Sequence, residues 1–150
     1  MKHTASDMPS AGDITKRISF ALHTASRLVK QASVEQLKTL ELTQAQWRAL
    51  SGVCTQPSAT LQQLTAFAQI SQPLLSQAIK ALEGRGLVER RRDESDKRSS
   101  LIVATAAGMD CYREAYAAMM KVETQINEVL GPSDSKVFKA LLDRLVEELD

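Results

Sequence analysis

Apolar and polar residues follow a helical period over most of this chain. Between residues 13 and 41, Ile14, Ile18, Leu22, Ala25, Leu28, Val29 and Ala32 recur at three- and four-residue intervals. Lys16, Arg17, Arg27, Lys30 and Lys38 lie among them, and no Gly or Pro interrupts. The spacing predicts one long amphipathic helix over 13–41. A second helix starts after Leu42, where Thr43 and Gln46 form a capping box and Leu42 and Trp47 a hydrophobic staple. It is expected to end near Cys54, before Thr55-Gln56-Pro57-Ser58.

Thr60 and Gln63 repeat the capping pair and open a short helix that stops around Gln69. Ser71-Gln72-Pro73 restarts the helix with proline in the first turn, where its missing N–H costs nothing. Leu74, Leu75, Ala78, Ile79 and Leu82 supply its apolar face until Gly84-Arg85-Gly86 ends it. Leu87–Arg92 and Ser99–Ala104 then read as two short strands around the polar turn Asp93–Lys97, which lacks Asn-Gly or Asp-Gly and predicts a longer hairpin tip. Helical spacing returns from Thr105 to Leu130, is broken by Gly131-Pro132, and resumes from Ser133 to Asp150. The order is four helices, a hairpin and two helices.

Composition narrows the class. With 150 residues, 43% hydrophobic and 25% charged, the chain suits one globular domain and excludes a disordered or fibrous one. Six Gly and four Pro leave little room for a turn-rich all-β fold. The expectation is a mainly α fold with a small β-hairpin. No run approaches the roughly 18 apolar residues of a membrane span, and Met1–Gly12 has no apolar signal core, so a cytoplasmic protein is expected.

Cys54 and Cys111 stand far apart, and with His3 and His23 they make no metal-ligand spacing. Neither a metal nor a cofactor is expected. No Gly-rich phosphate loop or nucleophile–base arrangement is present, which argues against an enzyme.

Charge carries information only through its distribution. Lys+Arg 19 against Asp+Glu 18 leaves a net of +1, which by itself predicts no partner. Yet residues 42–79 carry only Arg48, while Arg90, Arg91, Arg92, Lys97 and Arg98 crowd the hairpin. A short helix, a turn, a second helix and a basic hairpin make a winged helix-turn-helix. The second helix presents side chains to major-groove base edges, and the hairpin meets phosphates or the minor groove. Gln72, Ser76, Gln77 and Lys80 fall on the polar side of that helix. Gln can pair bidentately with adenine, Ser donates or accepts, and Lys reaches guanine or phosphate.

These residues resemble the MarR-type transcriptional regulators. Leu42-Thr43-x-x-Gln46-Trp47-x-x-Leu50 looks like the start of the family's DNA-binding lobe. Thr60-Leu61-x-x-Leu64 and Ser71-Gln72-Pro73-x-x-Ser76-x-x-Ile79-x-x-Leu82-Glu83-x-x-Gly86-Leu87-Val88 continue it. Arg90-x-x-Asp93-x-x-Asp96-x-Arg98, followed by Thr105-x-x-Gly108, is its most specific piece.

The resemblance implies six helices and a hairpin wing in one domain over 1–150. Its lobe would span 42–105, with a helical dimerisation region over 13–41 and 106–150. It implies a homodimer that reads a pseudo-palindromic DNA operator as a sequence-specific transcriptional regulator, a repressor released by a small ligand. Ser71, Gln72, Pro73, Ser76, Gln77 and Lys80 would form the recognition surface, and Arg90, Arg91, Arg92, Asp96, Lys97 and Arg98 the wing. Asp96 would brace the wing and Arg98 enter the minor groove. Gln77 stands where the family often has Arg.

The family's small aromatic effectors bind between the dimer helices and the lobe, where His23, Trp47, Tyr112 and Tyr116 are candidates. Two alternatives stay open: thiol-based redox sensing through Cys54 or Cys111, and a helical dimer that serves as an adaptor without binding DNA. Reactive thiols need cationic neighbours or a helix N-terminus. Cys54 has neither close in sequence, and the family's peroxide sensors place their cysteine near the start of the first helix, where this chain has none.

Overall fold

The computed structural model describes residues 10–95 and 100–150. Among them the order is α1 (Ala11–Thr15), α2 (Ile18–Lys38), α3 (Gln44–Thr55), β1 (Ala59–Thr60), α4 (Leu61–Ala68), α5 (Gln72–Gly84), β2 (Val88–Arg92), β3 (Ser100–Ala104), α6 (Ala106–Leu130) and α7 (Pro132–Leu149). Seven helices therefore replace the expected six, because 13–41 is not a single rod. Ser10 and Asp13 form a capping box that closes α1 as its own short helix. The backbone turns extended at Arg17, and α2 begins afresh. No residue of α1 is buried, so no packing holds it in line with α2.

The two internal capping boxes form as the spacing predicts. Thr43 Oγ1 accepts from the Gln46 amide at 3.1 Å while Gln46 Oε1 accepts from the Thr43 amide at 3.0 Å. Thr60 and Gln63 repeat this at 3.3 and 2.8 Å. Each box satisfies backbone donors that the first helical turn leaves unpaired.

The core sits between α3, α4, α5 and the sheet. Ala49, Leu50, Val53, Leu64, Leu75, Ala78, Ile79, Leu82 and Ile102 are all buried there. Leu74 departs from the predicted apolar face, remaining 43% exposed while its neighbour Leu75 is fully buried. The hairpin gains a third strand that short-range patterning does not show. β1 pairs antiparallel with β3 through Ala59–Ile102 and Thr60–Leu101, giving the order β1-β3-β2. Ala59 in this two-residue strand is buried opposite the buried Ile102.

Two close approaches fix the joints of this lobe. A Cβ on Gly52 would lie 2.9 Å from Leu64 Cδ2, so the missing side chain lets α3 press on α4. A Cβ on Gly108 would lie 1.9 Å from the Leu87 carbonyl oxygen, so only glycine allows the first turn of α6 against the end of α5. No helix among the described residues is long and apolar enough to cross a membrane.

Candidate nucleic-acid interface

The start of α5 is set by Ser71 and Pro73. Ser71 is extended at the N-cap, but its hydroxyl makes no capping bond and is left free. Ser71, Gln72, Pro73, Gln77 and Lys80 are exposed, and Ser76 is half-buried. The opposite side of α5 is buried through Leu75, Ala78, Ile79 and Leu82. Of the six expected recognition positions, Gln72, Pro73, Gln77 and Lys80 thus lie exposed on α5, Ser71 stands at its N-cap and Ser76 is half-buried. Arg48, the only charge over 42–79, is spent on architecture: Nη1 donates to the Ala68 carbonyl at 3.1 Å, capping the end of α4. Gln69 follows in the left-handed region at φ +51°, turning the chain towards α5.

On the hairpin, Val88, Glu89, Arg90, Arg91 and Arg92 pair with Ala104, Val103, Ile102, Leu101 and Ser100 respectively. The three arginines occupy different surroundings. Arg90 Nε donates to both carboxylate oxygens of Glu83 at 3.1 and 3.2 Å, tying the root of the hairpin to α5. Arg91 pairs with Glu89 on its own strand at 2.6 Å. Arg92 is exposed and has no ion pair among the described residues. Asp96, Lys97 and Arg98 lie outside the described residues. In the sequence Arg90 is one more cation of the wing; its tie to Glu83, seven residues away, depends on the fold.

The four effector candidates are not all brought together. Trp47 stacks on Tyr112 with ring centroids 5.7 Å apart and planes 13° from parallel. Tyr112 meets Tyr116 at 6.0 Å with a 45° tilt. His23 is exposed on α2 and takes no part in those ring contacts. A cavity of about 450 Å³ opens between α2, α3, α6 and α7, lined by Leu22, Val29, Lys30, Arg48, Ile126 and Phe138 among others. None of the four candidates lines it. It gathers residues from four helices, so no single stretch of sequence marks it.

The thiols are free and half-buried. Burial pushes Cys54 up to about 11, with Cys111 adding to the rise and Arg113 opposing it. Burial also raises Cys111, against the nearby Arg85 guanidinium. Both effects favour the neutral thiol over the reactive thiolate at neutral pH. Among the described residues no cluster of His, Cys, Asp or Glu is arranged to hold a metal ion.

Residues 42–100 match the model of the MarR family. The HTH-type transcriptional regulator YwoH of Bacillus subtilis (strain 168) is 26% identical over 135 residues, covering 90% of this chain and 98% of that protein. The transcriptional repressor CouR, solved bound to a 23-mer DNA duplex, is 24% identical and superposes with a TM-score of 0.84 over 93% of this chain and 99% of its own. Bordetella bronchiseptica BpsR, whose DNA binding is regulated by 6-hydroxynicotinic acid, is 19% identical, with a TM-score of 0.83 over 93% of this chain and 98% of its own.

Proposed function

We propose that this chain, whose residues 42–100 match the MarR family model and which is 26% identical to an HTH-type transcriptional regulator, is a MarR-type winged helix-turn-helix regulator that acts as a homodimeric repressor, binding a pseudo-palindromic operator until a small ligand releases it. The observation that carries this reading is the exposure of Gln72, Gln77 and Lys80 on a helix whose other side is locked in the core. In the proposed mode α5 enters the major groove. Gln72 and Gln77 read base edges, Ser76 makes a short contact, and Lys80 meets phosphate or guanine. Ser71 and Pro73 bring the N-terminus of α5, with its free amides, towards a phosphate. Arg91 and Arg92 meet the DNA backbone, and the wing roles expected of Asp96, Lys97 and Arg98 belong to the same proposal.

The lobe of this reading spans 42–105, and pairing falls to 13–41 and 106–150. Val137, Phe138, Leu141, Leu145 and Val146 of α7 are exposed in the single chain, as are Ile14, Ile18 and Phe20. A second copy is the natural cover for such a surface. The effector is an aromatic molecule held at the rings of Trp47, Tyr112 and Tyr116, which the fold brings together without His23. By favouring a lobe spacing unfit for the operator it lowers DNA affinity. The raised thiol pKa values count against the redox alternative.

Titration of the full chain on random duplex DNA at 50 and 200 mM salt tests the DNA reading. Neutralising several phosphates predicts an affinity loss on the order of 1,000-fold between the two. No binding at the lower salt overturns it.

A further inference from the structure

The end of α5 is gripped from two sides by the helices that lead out of the lobe. On one side Thr105, the N-cap of α6, donates its hydroxyl to the Gly86 carbonyl at 2.6 Å, and its amide donates to the Leu87 carbonyl at 3.1 Å. On the other side Arg85 crosses to the end of α2. Its Nη1 donates to the Glu41 carbonyl at 3.0 Å and its Nη2 to the Leu40 carbonyl at 3.1 Å.

The turns joined by Arg85 are built alike. After α5, the Leu87 amide bonds the Leu82 carbonyl and the Gly86 amide the Glu83 carbonyl, with Gly86 left-handed at φ +70°. After α2, the Leu42 amide bonds the Leu37 carbonyl and the Glu41 amide the Lys38 carbonyl. Both follow the pattern in which a left-handed residue closes a helix. In α2, however, that residue is Glu41 at φ +53°, where a side chain is disfavoured and glycine is the usual choice. The guanidinium holds this turn with two charge-assisted bonds and places positive charge at the negative end of the α2 dipole.

We propose that Arg85 is a positioning residue: by locking the end of α5 to the end of α2, it sets the direction of the recognition helix relative to the pairing helices. It thereby sets the separation at which a dimer reads two half-sites. This inference rests on the dimeric DNA-binding reading above. Arg85 touches no base in this account; it acts through the orientation of α5.

The test is selection from a pool of duplexes with randomised cores, using the full chain, Arg85→Ala and Arg85→Lys, with folding checked by circular dichroism. The unmutated chain should enrich paired half-sites at one separation, near one helical turn of about 10 base pairs. Arg85→Ala should enrich the same half-site sequence across neighbouring separations, its preference for the best spacing falling roughly tenfold. Arg85→Lys, which keeps the charge but loses the planar fork, should fall between.

A role in stability alone would lower the melting temperature and leave the spacing sharp; that result overturns the inference. If Arg85→Ala does not fold, Arg85→Lys decides by the same criterion, with broadened spacing supporting and unchanged spacing overturning. If the unmutated chain enriches nothing, or only single half-sites, the dimeric DNA-binding reading itself fails and this inference goes with it.

Discussion

The proposed lobe over 42–105 and the helices on either side of it bury their apolar residues in different ways. In the lobe, side chains from α3, α4, α5 and β3 close on one another, leaving Leu50, Leu64, Leu75, Ile79, Leu82 and Ile102 fully covered. Its exposed large hydrophobics are Phe67 and Leu74. The flanking helices carry stripes that are just as regular, yet α7 has no buried residue along its 18 positions. Amphipathicity specifies a face to be covered and does not say by what. The lobe completes itself within one chain, whereas α1, α2 and α7 present faces that a second chain completes in the proposed dimer.

This contrast predicts separable damage. Ile79→Ala strikes the closed core and should cost about 4 kcal/mol in urea unfolding; a loss below about 1 kcal/mol would mean that the lobe core is not the source of stability. Leu141→Glu places a charge on the open stripe of α7 and should weaken dimerisation by about 3 kcal/mol. Sedimentation velocity should then show a folded monomer; an unchanged dimer would move the pairing surface elsewhere.

Smaller effects sharpen the same division. Arg91→Ala and Arg92→Ala should each lower the slope of log affinity against log salt by about 1, uniformly across DNA sequences, and leave dimer mass unchanged. Thr43→Ala removes one half of a capping box at the entrance to the lobe and should cost about 1 kcal/mol in thermal or urea unfolding.

The Cys54 prediction concerns pH. Its ordinary pKa of 9.0 is raised to about 11 in the folded chain. Between those values the unfolded chain has already released its proton while the folded chain retains it, so stability should fall as pH rises from 9 to 11. Alkylation of Cys54 by a thiol reagent should be slow at pH 7 and accelerate across that window. Rapid alkylation at pH 7 would reopen the redox alternative.

Local chemistry was legible in the sequence, and distant contacts were not. The starts of α3 and α4 follow from Thr43–Gln46 and Thr60–Gln63 because capping acts over three residues. The buried side of α5 follows from spacing, except at Leu74, since periodicity marks an apolar face without marking where its edge meets solvent. The break between α1 and α2 escaped because neither Gly nor Pro signals it; an unsupported α1 and the extended Arg17 make it. β1, the Arg90–Glu83 pair and the Arg85 bridge all depend on residues brought together by the fold. Among the proposed site residues, spacing placed α5 and the hairpin, but could not distinguish Arg90, held by Glu83, from exposed Arg92.

The most direct test of the central claim is the stoichiometry of the full chain on a duplex carrying its selected site, measured by sedimentation equilibrium at low salt. The account predicts two chains per duplex, bound in one transition that Leu141→Glu abolishes. A single folded chain per duplex, bound with full affinity and indifferent to Leu141→Glu, would contradict it.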